Sequence, residues 1–307
     1  MRLLRKLVVV VLILAVLSGA AFYWLTIPRP LTAADLPEHT LDLANGETMF
    51  WAGGCGSCHA EEKAKGDDKK KLGGGLALIT EFGTFRVPNI SPDRETGIGE
   101  WSALEFVNAM KRGIGRNGSH LYPAFPYASY QRMYLGDLLD LKAYLETLPP
   151  VSKVSEPNDL KFPFNIRRGL GLWKLLYLDG KTFEPDSEQT EQVNRGRYLV
   201  EGPGHCAECH TSRDFAGGLN RMLNLAGAPA AEGDGFVPNI TPSKDGIGDW
   251  SASDIAYSLE SGFTPSYDSL GGSMTSVQEN FSHVSAADRD AVAAYLKSIP
   301  PLPSPPR

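Results

Sequence analysis

The chain has 307 residues, of which 42% are hydrophobic, and it contains 32 glycines and 22 prolines. This length is sufficient for two small domains, and the glycine and proline content suits compact helical units with long loops. The formal net charge of -6 at pH 7 and the pI of about 5.6 argue against nucleic acid as a partner.

The N-terminal segment, residues 1–30, is predicted to be a membrane anchor or a signal peptide. It begins with basic residues, and the stretch from Leu7 to Leu25 contains no charge. A helix of this length nearly spans the core of a bilayer, and the basic residues place its N-terminus in the cytoplasm. Residues 18–20 would serve as a cleavage site, but the aromatic residues that follow favour an uncleaved anchor. In either case the rest of the chain is expected on the periplasmic side of the inner membrane.

Two copies of the pentad CxxCH use all four cysteines of the chain, at residues 55–59 and 206–210. Two thiols at this spacing can add to the vinyl groups of one haem, while the adjoining histidine binds the iron as its proximal ligand. A zinc site would not need a histidine after each second cysteine, and a redox-active dithiol sits at a strand-to-helix junction that the sequence does not show. Disulfides are the remaining alternative. We predict two covalently bound haem c groups, held by Cys55, Cys58, His59, Cys206, Cys209 and His210.

An internal repeat divides the chain into two domains. Residues 87–92 recur as 237–242, and residues 97–103 recur as 246–252, each pair with nearly the same sequence. Each unit is predicted to contain a helix leading into the pentad, a middle helix, and a last helix stopped by proline, with long loops between them. The sequence thus predicts an all-α fold of tandem class I-like cytochrome c domains after an N-terminal transmembrane helix. The domains are 42–151 and 191–302.

Capping signals mark three of the helix starts, because a serine is followed three residues later by an acidic residue. These pairs are Ser102 with Glu105, Ser251 with Asp254, and Ser285 with Asp288. The segment 152–190 belongs to neither repeat and is predicted to be an ordered connector packed on the domains. Residues 303–307 are expected to form an extended, mobile, proline-rich tail.

The sixth ligand of each iron is expected from the loop before the last helix, where electron-carrying cytochromes commonly use a methionine. In the second domain, Met274 is the only methionine between the middle and last helices, so we predict it as the ligand.

The first domain departs from this pattern. Alignment of the two last helices puts Pro123 opposite Met274, and Phe125 lies nearby. Met133 is the remaining methionine in the loop and is the predicted ligand, although it falls opposite Val284 and could serve only in core packing. His120 is the weaker candidate ligand, and an open site is the third possibility.

The chain resembles the cytochrome c subunits of membrane-bound bacterial dehydrogenases for alcohol, gluconate and related sugars. The resemblance is carried by the paired repeat segments, by Leu121–Tyr127 and by Gly271–Met274, and it covers residues 42 to 302. It implies a dehydrogenase partner with a flavin or quinone cofactor, and delivery of electrons to quinone or to a terminal oxidase. Two departures are visible: the best-known relatives carry three haems, and Phe125 replaces the methionine of their Met-Pro-Tyr segment.

The predicted activity is outer-sphere electron transfer, in which no side chain makes or breaks a substrate bond. Two alternatives come from other classes. A dihaem peroxidase would be an enzyme and would need one iron with an open or displaceable sixth site. A dihaem subunit of a terminal oxidase would share the single anchor and the two pentads.

Overall fold

The computed structural model describes residues 1–230 and 235–306. Its helices are α1 (Arg2–Leu25), α2 (Leu43–Ala52), α3 (Cys55–His59), α4 (Ala103–Arg112), α5 (Tyr127–Tyr130), α6 (Leu135–Glu146), α7 (Leu170–Tyr177), α8 (Glu191–Glu201), α9 (Ala207–His210), α10 (Ala252–Ser261), α11 (Met274–Phe281) and α12 (Ala286–Ser298). Its strands are β1 (Ala77–Thr80), β2 (Gly83–Arg86), β3 (Asp159–Leu160), β4 (Ala228–Pro229) and β5 (Phe236–Val237).

Helix α1 is the one helix within the described residues that is long and apolar enough to cross a membrane. It has 24 residues, its most apolar window has a mean hydropathy of 2.5, and none of that window is buried. Because it lies at the N-terminus, its length and composition also fit a signal sequence.

In both halves of the chain, the helix that leads into the pentad crosses the last helix at a glycine. A Cβ atom on Gly46 of α2 would lie 2.3 Å from the carbonyl oxygen of Asp140 in α6. A Cβ atom on Gly196 of α8 would lie 1.8 Å from the carbonyl oxygen of Ala291 in α12. Any side chain at either glycine would therefore force the two helices apart.

The middle helices α4 and α10 begin and end alike. Reciprocal capping boxes at Ser102 and Ser251 start them, as the sequence predicts, and Gly113 and Gly262 end them in the left-handed conformation. Ser285 likewise caps α12 by accepting a hydrogen bond from the backbone of Asp288.

Over the described residues the fold is mostly helical, but it contains two small antiparallel sheets that the all-α expectation lacks. One has the strand order β1-β2-β3, and the other pairs β4 with β5. The sheets form because the long loops after the pentads must pair their backbone groups, and β2 finds a partner in the connector. Gly83, with a φ of 122°, admits that partner, since a Cβ atom there would lie 2.4 Å from the carbonyl oxygen of Asp159.

The connector contacts both halves of the molecule. Lys174 of α7 donates hydrogen bonds to the carbonyl oxygens of Arg112 and Gly113 (both 2.6 Å), at the end of α4. The indole of Trp173 donates to the carbonyl oxygen of Ala216 (3.1 Å), in the loop after the second pentad. The connector therefore ties the first half of the chain to the second.

The start of the C-terminal tail is held on the second half of the chain. The amide of Asn239 donates to the carbonyl oxygen of Leu302 (2.8 Å) and to the hydroxyl of Ser304 (3.3 Å). The tail was expected to be mobile, but hydrogen bonds reach at least to Ser304. Residue 307 lies outside the described residues.

Candidate haem-binding sites

Each pentad forms a short helical turn that follows the helix leading into it. Gly54 precedes the first turn in the left-handed conformation, with a φ of 60°. His205 stands at the corresponding place before the second turn, also at a positive φ of 40°. In both pentads the first cysteine is half-buried and the second is exposed. The second thiol of each pair therefore lies where a group bound at the surface of the pentad can reach it.

The histidines of the two pentads, which are the predicted proximal ligands, are oriented by a repeated contact. The Nδ1 atom of His59 donates to the carbonyl oxygen of Pro88 (2.8 Å), and Nδ1 of His210 donates to the carbonyl oxygen of Pro238 (2.7 Å). A carbonyl oxygen can only accept, so the proton lies on Nδ1 and the lone pair of Nε2 is left for a metal. This tautomer is the one that haem iron requires.

Burial keeps both imidazoles neutral. Desolvation lowers the pKa of His59 to about 4, against the weaker opposing effect of the Pro88 carbonyl, and it lowers the pKa of His210 in the same way. A neutral imidazole is the form that binds iron.

The cysteines lack the electrostatics of a redox-active dithiol. Burial raises the pKa of both Cys55 and Cys206 to about 12, whereas reactive thiols have a lowered pKa. Over residues 1–230 and 235–306, no group of three or more His, Cys, Asp and Glu side chains is arranged to hold a metal ion. The residues therefore fit covalent haem attachment better than the zinc or dithiol alternatives.

A buried asparagine holds each proximal loop in place. The amide of Asn89 donates to the carbonyl oxygens of Val151 (2.7 Å) and Lys153 (3.0 Å), and its side-chain oxygen accepts from the backbone of Ser91. Asn239 makes the corresponding bonds in the second half, to Leu302 and to the backbone of Thr241. Each asparagine follows the proline whose carbonyl orients the histidine, so it fixes that carbonyl.

On the distal side of the second site, Met274 is where the sequence predicts a ligand. It is the first residue of α11 and lies half-buried against the core. Its thioether is thus near the surface of the apolar interior and not enclosed within it.

The loops between the middle and last helices share one hydrogen-bond pattern. The backbone of Leu121 donates to the carbonyl of Gly113 (2.6 Å), and that of Leu270 donates to the carbonyl of Gly262 (2.8 Å). Four residues beyond these leucines stand Phe125 and Met274.

Phe125, and not Pro123, is thus the structural counterpart of Met274. Like Met274, Phe125 is half-buried against the core. Alignment of the last helices misses this correspondence because α11 has eight residues where α5 has four.

Met133 lies elsewhere, beneath the last helix. Its backbone donates to the carbonyl of Tyr130 (3.0 Å), just as Val284 donates to that of Phe281 (3.1 Å). The exposed fraction of Met133 is 0% and that of Val284 is 2%. The side chain of Met133 faces Gly202 at the end of α8, with its Cγ 3.7 Å from the ideal Cβ position of that glycine. Met133 therefore fills a core position, and its service as an iron ligand stays a prediction.

His120 is buried with hydrogen bonds at both ring nitrogens. Its Nε2 donates to the carbonyl oxygen of Thr26 (2.9 Å), and its Nδ1 accepts from the ammonium of Lys174 (3.1 Å). Nε2 therefore carries the proton and the lone pair of Nδ1 is already used, so the structure does not favour the alternative of a bis-histidine iron.

A buried hydroxyl in the same loop has no hydrogen-bond partner. Tyr127 is fully buried, and its hydroxyl is unpaired within the described residues. A buried polar group usually finds a partner. An acceptor supplied by a bound haem would satisfy it, so this residue also fits the predicted cofactor.

The two pentads meet across one interface with approximate two-fold symmetry. Ser57, inside the first pentad, accepts a hydrogen bond from the amide of Asn280 (2.7 Å) in α11. Glu208, inside the second pentad, accepts one from the hydroxyl of Ser129 (3.0 Å) in α5. Each haem-binding turn therefore contacts the segment before the last helix of the other half.

The turns that precede the pentads also touch each other. The ideal Cβ position of Gly53 lies 3.8 Å from the carbonyl oxygen of Pro203. Tyr130 bridges the two turns, because its hydroxyl donates to the carbonyl of Gly53 (3.2 Å) while its ring packs edge-on against His205 (centroids 5.5 Å apart). The two haem-binding turns thus form one continuous surface.

The fold and the paired sites are those of a c-type cytochrome, in which a histidine oriented by a carbonyl follows two cysteines for haem attachment. The cytochrome c family model matches residues 43–149. A diheme cytochrome c-type protein of Cereibacter sphaeroides is 49% identical over 95% of this chain and 97% of its own length. The chain belongs to the family of dihaem c-type cytochromes and is an electron-transfer protein with covalently bound haem c.

Further relatives are subunits of larger assemblies. The fructose dehydrogenase cytochrome subunit of Gluconobacter japonicus is 36% identical over 90% of this chain and 55% of its own length. The gluconate 2-dehydrogenase cytochrome c subunit of Pantoea cypripedii is 35% identical over 83% of this chain and 58% of its own length. The chain therefore spans little more than half the length of these dehydrogenase subunits.

The prolines at positions 88 and 238 were not predicted as site residues. Their role lies in a backbone carbonyl, which no residue type reveals. The available signal was the repeat itself, since residues 87–92 and 237–242 share a sequence that no periodicity of helix or strand explains.

Proposed function

We propose that this protein is a membrane-anchored dihaem cytochrome that passes electrons from a dehydrogenase partner to the respiratory chain. The observation that carries the proposal is the meeting of two haem-binding turns across one interface. Electrons entering at one site then have a short route to the other within the same molecule. The partner would be a dehydrogenase subunit with a flavin or quinone cofactor, and the acceptor a quinone or a terminal oxidase.

In this proposal the chain's residues have simple roles. The bound haems supply reversible one-electron chemistry at iron. Cys55, Cys58, Cys206 and Cys209 fix the porphyrins, and His59 and His210 are the proximal ligands. Met274 is the sixth ligand in the second domain, where a thioether raises the reduction potential. For the first domain, Met133 is the ligand that the sequence predicts. The domains are the units 42–151 and 191–302.

The dehydrogenase partner is supported by the relatives that are themselves cytochrome subunits of fructose and gluconate dehydrogenases. The apolar connector surface offers a place for contacts outside the two domains. Leu175 and Leu176 of α7 and Phe162 before it are between 54% and 78% exposed.

Membrane anchoring is supported by the junction between α1 and the rest of the molecule. The guanidinium of Arg168 donates to the carbonyl of Tyr23 (2.8 Å) and to the hydroxyl of Thr26 (2.9 Å). Thr26 is fully buried, and the ring of His120 donates to its carbonyl. The end of α1 is thus built into the structure, as suits an anchor that is retained. The haem domains would then lie on the periplasmic side of the inner membrane.

The test begins with fractionation of cells that express the full-length chain, with haem staining and pyridine haemochrome quantification of each fraction. We expect two haems per chain, in the inner-membrane fraction, and protease access to the haem domains from the periplasm only. Co-purification with a dehydrogenase subunit, and haem reduction on addition of that enzyme's substrate, would support the partner. A soluble protein with no associated dehydrogenase would contradict both the anchor and the partner.

A terminal oxidase subunit is distinguished in the same experiment. It would co-purify with a haem-copper catalytic subunit and would show oxygen uptake that depends on the dihaem chain.

A further inference from the structure

We infer that the iron of the first domain has no protein ligand at its sixth position and binds small exogenous ligands there. These are carbon monoxide or nitric oxide in the ferrous state and cyanide in the ferric state. The inference rests on the proposed attachment of a haem to Cys55 and Cys58, and it names a binding property of that site.

In the first domain a phenyl ring takes the place of the thioether donor. Phe125 stands four residues beyond Leu121, and Met274 stands four residues beyond Leu270, after loops closed by the same hydrogen bond. Phe125 packs against Tyr130 (ring centroids 5.5 Å apart) and has no atom that can bind iron. The position that offers a thioether to the second haem therefore offers only carbon to the first.

Met133 is the methionine that the sequence predicts as the ligand of the first iron. Met133 is enclosed under α6 with an exposed fraction of 0%, at the place that Val284 takes in the second domain. Lys111 holds the backbone there, since its ammonium donates to the carbonyl oxygens of Met133 (2.9 Å) and Gln131 (2.5 Å). To bind the iron, the Met133 side chain would have to leave the core and open a cavity beside α8.

The nitrogen donors in this loop and in the helices α4 and α7 beside it are already engaged in hydrogen bonds. Both ring nitrogens of His120 are in hydrogen bonds, to Thr26 and Lys174. The ammonium groups of Lys111 and Lys174 each make three hydrogen bonds, which use all their protons. None of these side chains has a lone pair to spare for the iron.

A small ligand would also have a short path to this position. Phe125 is half-buried, and its neighbour Ala124 is exposed. Access and the absence of a competing donor are what determine whether a haem binds diatomic ligands or only transfers electrons.

The decisive measurement uses the full-length protein, purified in detergent with both haems attached. Pyridine haemochrome first counts the haems, because a protein with only one haem would fail the proposed attachment and not this inference. Electron paramagnetic resonance of the oxidised protein should then show one high-spin and one low-spin iron. Titration of the reduced protein with carbon monoxide should end at one carbon monoxide per two haems.

Three variants assign the binding to the first domain. Phe125→Met should convert the high-spin iron to low spin and abolish carbon monoxide binding, with both haems retained. Met133→Leu, the matched control, should leave the wild-type spectra unchanged. Met274→Leu should create a second binding site and raise the stoichiometry to one carbon monoxide per haem.

The opposite results are equally clear. Two low-spin irons that ignore carbon monoxide in the wild-type protein would overturn the inference. A high-spin iron that appears only in Met133→Leu would then identify Met133 as the ligand, as the sequence predicts. The wild-type titration decides the matter even if Phe125→Met does not fold.

Discussion

The two halves agree at the predicted proximal side of the haem and differ at the predicted distal side. The proximal sides match in detail, because His59 and His210 donate to equivalent proline carbonyls at 2.8 and 2.7 Å. The distal sides differ, because Phe125 takes the place of Met274. The predicted attachment and proximal ligation depend on backbone geometry that the repeat preserves. The sixth ligand depends on one side chain, which can change without disturbing the fold.

The interface between the halves shows a similar contrast. In the first pentad the residue at the interface is the neutral Ser57. Lys69 lies beside it, donates a hydrogen bond to Asn280 (3.2 Å) and forms an ion pair with Glu279 (2.7 Å). The other side places a carboxylate, Glu208, inside the pentad itself. Arg213 pairs with this carboxylate (2.7 Å), so the second pentad carries an ion pair where the first has a neutral serine.

The largest expected effect comes from removing the cysteines of one pentad, which leaves only the other site with a haem. The double variant with Cys55→Ser and Cys58→Ser, and its counterpart with Cys206→Ser and Cys209→Ser, should each halve the haem content, because each pentad binds its own haem. Pyridine haemochrome per mole of protein measures this. Each variant then displays the spectrum of one site alone. Two haems in either double variant would show that attachment does not follow the pentads.

The next effect tests the distal difference. Met274→Leu should remove the sulfur-to-iron charge-transfer band and lower the potential of one haem, because leucine offers no donor. Near-infrared absorption and a potentiometric titration record both changes. Met133→Leu should leave both unchanged, since the swap conserves volume and costs less than about 1.5 kcal/mol. Loss of half of this charge-transfer band in Met133→Leu would show that Met133 is the thioether ligand of the first iron.

The proximal loops should respond equally in the two halves. Asn89→Ala and Asn239→Ala each remove several buried hydrogen bonds, so each should lower the stability of its own domain by about 2–4 kcal/mol. Denaturant titration followed at the haem absorption of each domain measures the loss. Asn165→Ala, at an exposed position in the connector, is the control and should change little. A loss confined to one of the two domains would break the match between the proximal sides.

Substitutions at the interface between the two halves should cause the smallest losses of stability, and the two losses should be unequal. Asn280→Ala removes bonds to both Ser57 and Lys69 and should cost about 1–3 kcal/mol, because it leaves a buried ammonium with fewer partners. Ser129→Ala removes one bond to Glu208 and should cost about 0.5–1.5 kcal/mol. The same denaturant titration compares them, and equal losses would argue against the asymmetry described above.

The sequence predicts the local and repeated features of this molecule well. The pentads carry their chemistry in five consecutive residues, and the capping boxes at Ser102 and Ser251 need only four. The small sheets were missed because their strands are two to four residues long and β3 comes from a segment distant in sequence. Alignment from the last helix puts Pro123 opposite Met274 because α11 and α5 differ in length, whereas the resemblance to the dehydrogenase subunits already points to Phe125.

The hydrogen bonds of the His120 ring could not be predicted from the sequence either. Its partners are a backbone carbonyl at the end of α1 and an ammonium from the connector, both far away along the chain. Only the folded arrangement shows that a residue with the chemistry of a ligand is already occupied by structural contacts.

The hydrogen bonds from Arg168 to Tyr23 and Thr26 restrict how the rest of the molecule can move relative to α1. A cytochrome joined to its membrane helix by a flexible linker could change its orientation and reach partners over a wide volume. Here the end of α1 is hydrogen-bonded directly to the connector, with no flexible linker between them. In the proposed membrane-bound protein the haems would stand at a fixed height above the bilayer, so redox partners must meet them by diffusing laterally within the membrane or by presenting a site at that height.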